Sequence, residues 1–161
     1  SEHTREADVV VLASSDEFYE KIQDSLEETL RVWKPEVRFH HANNGCDAFW
    51  TRNRISIFIT DYFVIPDFSI REPEPIGHLV ANLYKESGTP IIAIVSPFFN
   101  DFSSRIPTPH ERAYLRDWQQ IVGAPFTVSS QLKNEFGFPS YGVDGLRDLR
   151  LYIQSELAKK Q

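Results

Sequence analysis

Methionine is absent, cysteine occurs once, and no stretch approaches the roughly 18 consecutive apolar residues of a membrane span. Each absence excludes something. The lone cysteine, Cys46, has no partner for an internal disulfide and suits a reducing compartment, so a cytoplasmic location is expected. The opening Ser1-Glu2-His3-Thr4-Arg5-Glu6 is polar and lacks the apolar centre of a secretory signal. Without methionine, Ser1 reads as the start of a processed form or of a domain cut from a longer protein. Basic blocks are also missing: 17 Lys and Arg face 23 Asp and Glu, for a formal net charge of −6. A phosphate backbone needs clustered cations, so direct nucleic-acid binding is not expected.

What is there describes one domain, residues 1–161, with a core from about residue 8 to 157. Ala7 to Ala13 is a nearly continuous apolar run, the form of a strand buried on both faces. Ser14-Ser15-Asp16 offers N-cap chemistry for a helix to about Trp33, with Phe18, Ile22, Leu26 and Leu30 at helical spacing. Glu36 to His41 reads as a second strand, Asp47 to Thr51 as a short helix, and Ile55 to Thr60 as a third strand ending at Asp61. A polar connection, Pro66 to Pro75, leads to a helix from Ile76 to Lys85, with Ile76, Leu79, Val80 and Leu83 on one face. Thr89 to Ser96 is the fourth apolar strand. Pro97 to Pro109 is a connection, His110 to Ile121 a helix, Ala124 to Val128 a fifth strand, Gln131 to Gly142 a connection, and Val143 to Lys159 the last helix.

Five such βα units imply an α/β fold: a five-stranded parallel sheet covered on both faces, a three-layer sandwich of strand order 2-1-3-4-5 with extended loops. In such sheets, ligands and chemistry gather at the carboxyl ends of the strands.

Ala42-Asn43-Asn44-Gly45-Cys46-Asp47-Ala48-Phe49 carries the pattern A-x-N-G-x-x-A, with a glycine available for a left-handed turn. Together with the strand-terminal Asp61 and the run Pro90-Ile91-Ile92-Ala93-Ile94-Val95-Ser96, it resembles the response-regulator receiver domain, a flavodoxin-like or CheY-like (βα)5 fold. The resemblance covers about Asp8 to Leu157. It implies two-component signal transduction: transfer of a phosphoryl group from a histidine kinase to Asp61, with Ser96 and Phe126 in the switch positions and Gly123-Ala124 preceding the fifth strand. Receiver chemistry also uses an acidic pair to hold Mg²⁺ and a lysine ending the fifth strand. Those positions fall at Ala13 and Ser14 and near Ser129, where neither carboxylate nor cation stands; the nearest lysine is Lys133. Asp16 sits at a helix start, where capping is its expected task.

The expectation is therefore a degenerate receiver, or pseudoreceiver. It would act through protein–protein contacts without Mg²⁺-dependent phosphorylation, carry no cofactor, and have no catalytic residue. Its expected partners are signalling proteins, a histidine kinase or an attached output domain among them, with a homodimer as a further possibility. Two alternatives stand beside it. One is a working phosphoacceptor at Asp61 in a phosphorelay. The other is an enzyme resembling nucleoside deoxyribosyltransferases, with Glu74 of Glu72-Pro73-Glu74-Pro75 as nucleophile near Asp61 and Asp67. The aromatics Phe98, Phe99 and Phe102 form either a lid over the sheet edge or an exposed contact patch. His40 and His41 are adjacent in a strand and face opposite ways, and His78 and His110 lack partners at helical spacing, so no zinc or iron site is expected.

Overall fold

Val9, Val10, Val11 and Leu12 are all fully buried, because their strand lies between two others and beneath helices on both faces. The computed structural model describes residues 5–13, 15–51, 54–69, 72–96, 138–142 and 145–160. Its elements are β1 (Glu6–Leu12), α1 (Asp16–Trp33), β2 (Glu36–Ala42), α2 (Gly45–Thr51), β3 (Ile57–Thr60), β4 (Phe63–Val64), β5 (Glu74–Pro75), α3 (Gly77–Glu86), β6 (Ile91–Ser96), β7 (Ser140–Gly142) and α4 (Leu146–Lys159). A five-stranded sheet runs β2-β1-β3-β6-β7, and every neighbouring pair is parallel. Taken in chain order, those strands give the expected 2-1-3-4-5 arrangement of a flavodoxin-like or CheY-like fold.

Alternation along each strand divides the core in two. Val9, Val11, Ile57, Ile59, Ala93 and Val95 face α1 and α4, meeting Phe18, Ile22, Leu26 and Leu30 from the first helix and Leu149, Ile153 and Leu157 from the last. Val10, Leu12, Phe58, Ile92 and Ile94 face α2 and α3. Helix α1 begins where the sequence places it: the Ser15 hydroxyl accepts from the Phe18 amide at 3.1 Å, and Phe18, Ile22, Leu26 and Leu30 are its buried stripe. On the opposite side, the Tyr84 ring stacks on Phe58 at 3.6 Å and its hydroxyl donates to the Ala48 carbonyl at 2.7 Å, tying α3 to α2.

The sheet ends laterally at β2. Asp8 of β1 accepts a bidentate pair from Arg38, at 2.9 and 3.0 Å, and a third bond from His40 at 2.8 Å. Those bonds bring the carboxyl of Asp8 below its ordinary range, against the opposing effect of its partial burial.

Four expectations need correction. The connection Pro66 to Pro75 is bracketed by a ribbon, since β4 and β5 pair antiparallel with Phe63 opposite Pro75 and Val64 opposite Glu74. Helix α3 buries Gly77, Val80, Ala81 and Tyr84, whereas Leu79 and Leu83 are 53% and 37% exposed. Small residues at 77 and 81 let this helix approach the sheet closely, and the large tyrosine ring then supplies the apolar cover. Gly45 does not adopt a left-handed turn; the glycine that does so among the described residues is Gly88, at φ 88°, just beyond α3. Finally, the segment read as a connection, Gln131 to Gly142, ends in β7, which takes the fifth place in the sheet. The expected strand Ala124 to Val128, the helix His110 to Ile121, the loop of Phe98, Phe99 and Phe102, and Ser14, Phe126, Ser129 and Lys133 lie outside the described residues.

Candidate functional site

The carboxyl ends of β1, β3, β6 and β7 meet at one edge of the sheet, and the register fixes which residues arrive there together. Leu12 pairs with Thr60, Thr60 with Ile94, and Ser96 with Gly142. Asp61, the residue after β3, donates its amide to the Leu12 carbonyl at 2.9 Å, which places it beside Ala13.

Asp61 is buried. Its carboxyl accepts from the Phe63 amide at 3.1 Å, the two-residue reach by which an aspartate side chain closes a local turn. The Ser96 hydroxyl and the Tyr62 amide also bond it. Burial dominates over these bonds and raises its pKa from 3.8 to about 7. Among the described residues, no charged side chain contributes to that balance. The group thus resists ionisation, unlike an exposed aspartate.

Where α3 meets the turn after β3, the packing at Asp61 is tight. The Gly77 amide donates to the Tyr62 carbonyl at 2.8 Å, and a Cβ on Gly77 would stand 2.0 Å from the Asp61 carbonyl oxygen. Tyr62 is fully buried, lies edge-on to Phe63 at 4.9 Å and stacks with His78 at 5.3 Å. Burial raises the Tyr62 phenol pKa and lowers that of His78, so both favour their neutral forms.

On the β1 side, Ala13 is fully buried, and its carbonyl accepts from His41 Nε2 at 2.8 Å. The His41 ring stacks on Tyr19 at 4.2 Å, and its Nδ1 lies 3.5 Å from Asp16. Asp16 itself is 87% exposed, while the helix cap is Ser15. His40 points to Asp8 and His41 to Ala13, as alternation requires.

A magnesium site fits these residues poorly. Mg²⁺ prefers an octahedron of hard oxygens with ionised carboxylates among them. Here a methyl group stands at position 13, and the Asp61 carboxyl is buried with its pKa raised to about 7. Among the described residues, no group of three His, Cys, Asp or Glu side chains is placed to hold a metal ion. Gly142, the residue paired with Ser96, brings no cation, and the sequence has neither Lys nor Arg from Asn134 to Leu146.

The motif Ala42 to Phe49 has a structural task at this edge. Asn44 is the N-cap of α2: its side-chain oxygen accepts from the Asp47 amide at 2.9 Å, and Asp47 reaches back to the Asn43 amide at 3.4 Å. The amides of Gly45 and Cys46 donate to the carbonyls of Ile65 and Pro66 at 2.8 and 3.1 Å. A Cβ on Gly45 would meet the Pro66 oxygen at 2.8 Å, so close approach and not backbone handedness calls for glycine there. The segment thereby clamps the chain leaving the β4–β5 ribbon. Asn44→Ala is expected to cost about 1 kcal/mol, read as a lower urea midpoint at unchanged slope.

Glu74, the alternative nucleophile, is exposed on the ribbon, while Asp61 is buried. Gly77 is the site residue that sequence reasoning gave no role, while Asn44 was read within the motif without its capping task and His41 only as no metal ligand. Gly77 carried a signal in principle, as a glycine at a helix start directly after a proline-rich loop.

No protein-family model matches the chain, and no curated protein matches it in sequence. Among solved structures, it is similar to the BeF3-activated receiver domain of DrrB, with a TM-score of 0.53 and 12% identity over 94% of this chain and 97% of that one. Oxidised flavodoxin 2 from Bacillus cereus matches with a TM-score of 0.43 and 12% identity, over 96% of this chain and 99% of that one. Of the two, the receiver domain bears on the fold.

Proposed function

We propose that this chain is an atypical receiver-like signalling module that works by binding partner proteins, without Mg²⁺-dependent phosphorylation and without catalysing a reaction of its own. The observation that carries the reading is the state of Asp61. Phosphoryl transfer to a carboxylate needs an ionised, accessible acceptor, a divalent ion and positive charge near the phosphoryl oxygens. The Asp61 carboxyl is instead buried, held back from ionising by that burial, and flanked by Ala13 and by a strand that ends on glycine. Ser96 keeps company with it as a hydrogen-bond partner, so the pair serves as a structural joint between β3 and β6.

Partners in this reading are signalling proteins, a histidine kinase or an output domain among them, and a second copy of the chain. A cytoplasmic setting agrees with the single free thiol of Cys46. Among the described residues, no helix is long and apolar enough to cross a membrane.

A titration with Mg²⁺, with and without beryllofluoride as phosphoryl mimic, tests the proposal through amide NMR shifts. The amides of Asp61, Tyr62 and Ser96 are expected to stay in place at millimolar-order Mg²⁺, the range in which weak oxygen sites fill. Saturable shifts at those amides, dependent on both reagents, would establish a working phosphoacceptor and end the proposal.

A further inference from the structure

At the end of the molecule opposite Asp61, where α1 runs down toward the start of β2, a groove of about 430 Å³ opens between α1 and α4. Glu28, Thr29, Val32 and Trp33 form one wall, and Gln154, Leu157 and Ala158 the other. A bond from the Gln154 amide to the Thr29 hydroxyl, 3.4 Å long, crosses between the walls. Val32 is 84% exposed, an unusual place for a branched aliphatic side chain on a helix whose buried stripe is already complete. One turn before Gln154, Leu151 extends the same face of α4 and is also exposed.

On the α1 side the lip of the groove is acidic, whereas α4 carries Arg147 and Arg150 ahead of Gln154. Glu20, Asp24 and Glu28 recur every four residues and are all exposed, so they form one stripe along α1 that ends at Val32. Glu17 and Glu27 are tied to Lys21 and Arg31, but Glu20, Asp24 and Glu28 make no ion pair among the described residues. At the lower end the sign changes: Lys34 sits over the Trp33 ring at 5.6 Å, and α4 finishes at Lys159 and Lys160.

We infer that this groove is the docking surface for a basic amphipathic helix of a partner protein. The inference rests on the reading of the chain as a protein-binding module and names the surface it would use. Apolar anchors of the incoming helix would cover Val32, Trp33, Leu157 and Ala158, in the helix-in-groove mode of recognition. Its Lys or Arg flank would lie along Glu20, Asp24 and Glu28, and its carboxyl end, the negative end of a helix dipole, would point to Lys34. A second copy of the chain is a poor occupant, because neither α1 nor α4 offers a uniformly basic flank.

Three synthetic helices about as long as α1, sharing one leucine stripe and flanked by Lys, Gln or Glu, are titrated into the full chain. The readouts are calorimetry and the NMR signals of the Trp33 indole and the Val32, Gln154 and Leu157 amides. The Lys-flanked helix is expected to shift those signals and to bind roughly tenfold more tightly than the Glu-flanked one. That preference should shrink at roughly 0.5 M salt, where exposed charges are screened. Val32→Ser removes one apolar anchor from an exposed position and should weaken binding about tenfold, while Glu28→Lys should reverse the charge preference. Equal binding of the three helices, shifts elsewhere, or no binding at all would overturn the inference. Groove shifts that depend on protein concentration alone would overturn it in favour of self-association. A beryllofluoride response at Asp61 would remove the phosphorylation-independent reading and leave the groove standing, so the two failures are separable.

Discussion

At pH 8, Asp61→Asn is expected to be more stable to urea than the unsubstituted chain, and that advantage should vanish toward pH 4. The carboxyl has a pKa of about 7 in the folded protein against an ordinary 3.8. Between those values the folded state holds a proton that the unfolded chain has released, so stability falls as pH rises through this window. Below about pH 4 both states are protonated and the penalty is absent; above about pH 7 both are ionised and the penalty is complete. A shift of this size corresponds to something on the order of 4 kcal/mol. Asparagine keeps an acceptor for the Phe63 amide and a polar partner for Ser96, but never ionises. The difference between the two proteins' unfolding free energies, followed from pH 4 to pH 8, isolates this one group from the other carboxylates. Parallel curves would mean that the Asp61 carboxyl ionises in the folded protein as readily as an exposed one.

Gly77→Ala should be the most damaging conservative substitution in this region. The added Cβ would lie 2.0 Å from the Asp61 oxygen, 2.8 Å from the Tyr62 Cα and 2.9 Å from the Asp61 carbonyl carbon. All three are backbone atoms, so no side-chain rotation relieves the overlap. Either α3 moves out or the turn after β3 deforms, and both break the bond from Gly77 to Tyr62. Overpacking of this kind costs about 3 kcal/mol or more, against a helix-propensity gain of only about 1 kcal/mol for alanine. Thermal unfolding should show a Tm lowered by roughly 4 to 8 °C, at about 2 to 4 °C per kcal/mol for a chain of this size. Amide shifts should spread from residue 77 to Asp61, Tyr62 and Ser96. A variant as stable as the parent would contradict the contact between the start of α3 and the strand-three turn.

Strands β1, β3 and β6 were legible because strands buried on both faces leave continuous apolar runs, and α1 because its stripe and cap agree. The strand order followed from the alternation of elements. β7 was not legible: Ser140-Tyr141-Gly142 has three residues and no apolar run, and its identity comes from pairing with β6 alone. The face of α3 was misjudged since Leu79 and Leu83 outweigh Gly77 and Ala81 in any apolar count, although small residues are what close packing selects here. Asp61 and Ser96 were legible as strand-terminal positions. The burial of Asp61, which raises its pKa, goes with the close approach of α3 at Gly77, and no local pattern encodes that.

The ionic ladder on β2 has a consequence for how this protein behaves in a crowded solution. A lateral strand leaves its outer amides and carbonyls open, a template onto which a foreign strand can add. On β2 the exposed positions Glu36, Arg38 and His40 alternate with the inward residues, and Arg38 and His40 are both held by Asp8 of the next strand. An approaching strand would have to lie against fixed charges and strip their water, with no apolar surface in return. The sheet is thus open on that side without inviting growth there, and joining of copies through β2 is disfavoured.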